Sequence, residues 1–70
     1  MMDKAKQRET LLHLLIKYDD DWCPLPAILH LGIAQYNARI FELRRDGHNI
    51  QNRIKVIEGT RHSWYKLVRP

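Results

Sequence analysis

Apolar residues in this chain follow two different periods. From residue 4 to 18 they recur at three- and four-residue spacing: Leu11, Leu14, Leu15 and Tyr18 form one stripe, widened by Leu12 and Ile16. That spacing predicts an amphipathic helix. Asp3 stands where a carboxylate can accept from free backbone N–H groups, and Asp19-Asp20-Asp21 reads as a solvated turn beyond the last stripe residue. Trp22-Cys23-Pro24-Leu25-Pro26 is held extended by its prolines. Pro26 suits a first helical position. A short second helix is therefore expected from Pro26 to Leu31, turning Ala27, Ile28 and Leu31 toward the first and ending at Gly32.

A third stripe, Ile33, Tyr36, Ile40 and Leu43, predicts a helix over residues 34–46 with Gly47 as its stop. Ala34, Ala38, Phe41, Glu42 and Arg45 are then expected to point away from the core. Gln35 and Arg39 flank one side of that surface, and Asn37 and Arg44 the other. An unpaired buried glutamate is unfavourable, which favours this register over one that buries Ala38 and Glu42. After Gly47 the period changes to two. Ile50, Ile54 and Val56 alternate with Gln51, Arg53 and Lys55 over residues 49–57, and Tyr65 and Leu67 alternate with Trp64, Lys66 and Val68 over 62–69. Glu58-Gly59-Thr60-Arg61 is a turn signal between them. An antiparallel hairpin with a basic tip follows, its apolar face covering the helices. Trp64 falls on the outward face, where it either covers Ile57 and the Lys66 stem or flanks a sugar-phosphate backbone. Trp22 either packs on the turn or stacks on a base.

Charge changes this picture. The chain carries a formal net charge of +4. Residues 1–33 hold four Lys/Arg and five Asp/Glu, whereas residues 34–70 hold eight and three. The positive charge therefore sits on the third helix and the hairpin, the footprint expected of a polyanion binder. Cys23 is the single cysteine, so no internal disulfide forms, in keeping with a reducing compartment. His13, His30, His48 and His62 show no zinc-ligand spacing. Neither a metal, nor a cofactor, nor a small-molecule ligand is expected. The chain shows no Gly-rich phosphate loop and no nucleophile placed beside a base, so no enzymatic activity is expected. No apolar run approaches the ~18 residues of a membrane span, and no signal peptide is visible. A cytoplasmic, nucleoid-associated location is expected. Without repeats or linkers, residues 1–70 read as a single domain.

The run Asn37-Ala38-Arg39-Ile40-Phe41-Glu42-Leu43-Arg44-Arg45-Asp46-Gly47-His48-Asn49-Ile50, with Asn52-Arg53 after it and Tyr65-Lys66-Leu67 near the end, closely resembles the small winged helix-turn-helix domains common in phages and prophages. The resemblance covers about residues 8 to 68. It implies an α+β fold of three helices followed by a two-stranded antiparallel hairpin, the wing. It also implies double-stranded DNA binding, with the third helix in the major groove and the wing tip, residues 58–62, on the backbone or minor groove. Gln35 and Asn37 would then meet adenine edges, Arg39 guanine, and Ala38 a thymine methyl group. Arg44, Arg45, Lys55, Arg61, His62 and Lys66 would contact the backbone and give a strong salt dependence. A sequence-specific regulator, transcriptional or phage-related, is the leading expectation, acting as a homodimer or as multiple copies on DNA. The alternative is a protein-interaction module in a replication or recombination assembly, using an apolar patch of Phe41, Trp64 and Val68.

Overall fold

The computed structural model describes residues 3–69. It begins with α1 (Lys4–Lys17), capped by Asp3, whose Oδ1 accepts the Lys6 N–H at 2.8 Å. The helix ends at Tyr18, and Asp19 and Asp20 then reverse the chain with positive φ values of 50° and 66°. Aspartate adopts this conformation more readily than most residues. A two-residue strand, β1 (Cys23–Pro24), leads into α2 (Leu25–Leu29). Pro24 precedes that helix and Pro26 sits in its first turn, where a missing N–H leaves no helical bond unmade. Helix α2 thus begins one residue before the expected Pro26 and ends two before Leu31. Gly32, at φ 76°, turns the chain toward α3 (Tyr36–Arg45). The third helix is shorter than the expected 34–46, because Ala34 and Gln35 lie in the preceding turn and Asp46 caps the other end.

Strands β2 (Asn49–Ile57) and β3 (Thr60–Val68) pair antiparallel along their whole length, from Asn49 opposite Val68 to Ile57 opposite Thr60. Only Glu58 and Gly59 form the turn, both with positive φ (50° and 77°). That left-handed pair matches the twist of a two-residue hairpin, so the turn is tighter than the four residues expected. The sheet has three strands rather than two, in the order β1-β3-β2. Cys23 pairs with Tyr65 and Pro24 with Trp64.

Every element contributes to one core: Leu11 and Leu15 from α1, Cys23 from β1, Ile28 from α2, Ile33 before α3, Ile40 and Leu43 from α3, and Ile50, Tyr65 and Leu67 from the sheet. Tyr36 meets the Tyr65 ring edge-on at 6.2 Å between centroids. Burial, and then the neighbouring Tyr36, push the Tyr65 hydroxyl above the usual tyrosine range. The hairpin follows the expected alternation but not the expected burial. Ile54 and Val56 keep 47 % and 65 % of their surface in water. Residues 51–62 are exposed throughout. The apolar face therefore covers the helices only at the Ile50 and Leu67 end.

Cys23 is fully buried, and burial pushes its thiol up to about 11. A thiolate is the reactive form, so a thiol reagent at pH 8 should leave the native protein unmodified and label it once denaturant unfolds it. Labelling of the folded protein at the rate seen in denaturant would contradict this placement.

Candidate nucleic-acid interface

The four residues expected to meet bases do not share one surface. Asn37 is exposed on the first turn of α3, and Gln35 is exposed at its N-cap. Ala38 is half-buried. Arg39, by contrast, is only 4 % exposed. Its Nε donates to Glu42 Oε1 at 2.7 Å and its Nη2 to Glu42 Oε2 at 3.2 Å, a two-pronged pairing within one helical turn. Nη1 donates to Gln7 Oε1 at 3.0 Å, and Arg8 of α1 adds a second cation to Glu42 at 3.1 Å. The expected placement of Arg39 and Glu42 on the outer surface of the helix is thus corrected: the pair joins α3 to α1. Glu42 is tolerated there because it is paired, chiefly through Arg39, whose hydrogen bond holds its carboxyl below the usual range.

With Arg39 turned inward, the outer side of α3 presents Asn37, Phe41, Arg44 and Arg45. Phe41 is 63 % exposed. Phenylalanine is among the side chains that meet a thymine methyl group in a major groove. Its position on the helix away from the Ile40 and Leu43 stripe was readable in the sequence. Arg44 is committed in part: its Nε donates to the Ile50 carbonyl at 2.9 Å, fixing the end of α3 to the start of β2. Among the described residues, no side-chain hydrogen bond or ion pair engages Arg45.

Strand alternation sorts the hairpin cations onto two faces. Ile50, Asn52, Ile54 and Val56 of β2 stand opposite Leu67, Tyr65, Ser63 and Arg61 of β3. Leu67 and Tyr65 are in the core, so this is the face turned toward the helices. Beyond the core it meets the start of α3 in an open cleft of about 440 Å³, whose lining includes Tyr36, Asn37, Asn52, Ile54, Arg61 and Ser63. Lys55, His62 and Lys66 project from the opposite face, together with Arg53 and Trp64. The six residues expected on a backbone therefore divide. Arg44, Arg45 and Arg61 lie on the helix side, and Lys55, His62 and Lys66 on the far side. Trp64 and Val68 are on the far face too, so they do not form one apolar patch with Phe41. Trp22 is half-buried beside Lys66 rather than in the core.

Among the described residues, no helix is long and apolar enough to cross a membrane, and no His/Cys/Asp/Glu group could hold a metal ion. A family model described as a winged helix-turn-helix domain matches residues 24–68, from the last residue of β1 to the end of β3. No curated protein and no solved structure matches the chain. The α1 helix lies outside the matched span, yet supplies Leu11, Leu15 and the Gln7–Arg8 side of the Arg39 network.

Proposed function

Since the chain belongs to the winged helix-turn-helix domain family, we propose that it binds double-stranded DNA sequence-specifically, with α3 in the major groove and the wing against the flanking backbone. One observation carries this reading. The start of α3, at Tyr36 and Asn37, and the helix-facing side of the wing open into a single cleft edged by Asn37 and Arg61. Asn37, a base-reading group, and Arg61, a phosphate-binding group, thus line the same cleft. In this reading Gln35, Asn37, Ala38 and Phe41 face bases, Asn37 toward adenine and Phe41 toward a thymine methyl. Arg45 and Arg61 hold phosphates. Arg39 is left out, because it is buried against Glu42.

A module of this size offers few base contacts, so two copies on half-sites roughly 34 Å apart, or several along one duplex, supply the affinity of a regulator. Such a protein works at the nucleoid. Selection from a random duplex library identifies the preferred site. Against that site, Phe41→Ala and Asn37→Ala should each lower the ratio of specific to random-duplex affinity by about tenfold. Binding to random duplex should hardly change. An unchanged ratio in both variants would remove α3 as the reading element.

A further inference from the structure

We propose that the sheet face turned away from the helices is a second binding surface, one that takes single-stranded nucleic acid by stacking its bases. This face collects rings and cations. Arg53 lies over the Trp64 ring at 5.9 Å from its centroid, His62 stacks on the same ring at 6.1 Å, and Lys66 Nζ lies over Trp22 at 5.3 Å. Between the two tryptophans opens a hollow of about 200 Å³ lined by Trp22, Arg53, Lys55, Ile57 and Trp64. The remaining far-side positions of β2 and β3 are Asn49, Gln51, Thr60 and Val68, so no carboxylate projects from these strands here. The flanking acids are Glu58 in the turn and the exposed run Asp19-Asp20-Asp21 before Trp22; the Asp21 carboxylate accepts the Trp22 backbone N–H at 2.8 Å.

This combination has a specific chemistry. An unpaired strand exposes the flat faces of its bases and a phosphate with each one. Aromatic rings interleaved with Lys and Arg match both. A duplex hides its base faces in the stack, leaving only edges and phosphates, so it gains nothing from Trp22 and Trp64. An acidic peptide would pair with Arg53, Lys55 and Lys66 but has no planar groups for the hollow. Long, exposed Arg53 and Lys55 side chains can move from the rings to phosphates when bases take their place.

The surface is distinct from the α3 cleft, and the proposal does not rest on duplex binding there. The chain has two tryptophans, and both lie on this face, so intrinsic fluorescence reads the site directly. Titration of the full chain at low salt with a thymidine oligonucleotide should quench that fluorescence, while polyglutamate of similar charge should not. Trp64→Ala should weaken oligonucleotide binding about tenfold, and Trp64→Phe, which keeps a ring, should retain most of it. Duplex affinity, followed by anisotropy of a labelled duplex, should stay within about twofold in both variants. Absence of quenching, equal quenching by polyglutamate, or a Trp64→Phe variant as weak as Trp64→Ala would overturn the proposal. Circular dichroism verifies folding. If Trp64→Ala unfolds, His62→Ala replaces it, and unchanged oligonucleotide affinity in that variant would count against stacking on this face.

Discussion

Arg39→Ala should destabilise the fold rather than alter which DNA sequence is bound. The substitution removes three hydrogen bonds, two to Glu42 and one to Gln7, and leaves the Glu42 carboxylate with Arg8 as its remaining cation. Breaking one side of a buried pair is among the more damaging single changes. Glu42 keeps some contact with water, its side chain being 18 % exposed, so the effect falls short of that for a fully enclosed pair. A fall in thermal midpoint of roughly 10 °C is expected in a domain of this size. Arg45→Ala, on the same helix but facing solvent, should leave the midpoint nearly unchanged. The pH dependence gives an independent test. Because Arg39 holds the Glu42 carboxyl below its ordinary value of 4.5, the ionised pair stabilises the fold fully above that pH. Its contribution is lost as pH falls through the lower, folded-state value. Glu42→Gln should therefore be less stable than the parent at pH 7, with the gap closing on acidification. A gap that stays constant or widens with acid would contradict the assigned pairing.

The second large effect concerns charge on the side proposed to face the duplex. The double substitution Arg45→Gln with Arg61→Gln should lower affinity for every duplex sequence by roughly a hundredfold at low salt, as expected for two lost charge-assisted phosphate contacts. The slope of log K against log salt should become shallower by roughly two. Preference among sequences should survive, because Asn37 and Phe41 remain. His62→Gln with Lys66→Gln, on the opposite sheet face, should leave duplex binding and its salt slope largely intact. If both pairs reduce duplex affinity and slope equally, the two sheet faces do not divide their ligands as described.

Much of this arrangement was legible in the chain itself. The 3.6-residue stripe of α1, the glycines at 32 and 47, and the two-residue alternation around Glu58-Gly59 are local signals, and each marks an element that forms. Two features depended on contacts between distant segments. The short strand β1 exists only because Tyr65 and Trp64 lie alongside Cys23 and Pro24. The inward turn of Arg39 requires Gln7 and Arg8 on another helix, thirty residues or more away in sequence. A trace of it was present: Arg39 and Glu42 stand three apart, a spacing that pairs opposite charges along one helix face. The rule that an unpaired glutamate avoids the core selected the right register, since Ile40 and Leu43 are buried, but it placed Glu42 on the outer surface, whereas pairing lets this carboxylate sit half-buried. Ile54 and Val56 show the complementary failure. Their alternation reports a face, but whether that face is covered depends on how far the helices extend, and the wing reaches past them.

Backbone amide shifts during titration with a short random-sequence duplex locate the nucleic-acid surface residue by residue. At low salt, shifts should cluster at Gln35, Asn37, Phe41 and Arg45 and at Arg61 to Ser63, with Leu11 and Leu15 of α1 unmoved. No shifts at low salt, or shifts confined to the outer side of α1 around Glu9, His13 and Lys17, would contradict the proposed surface.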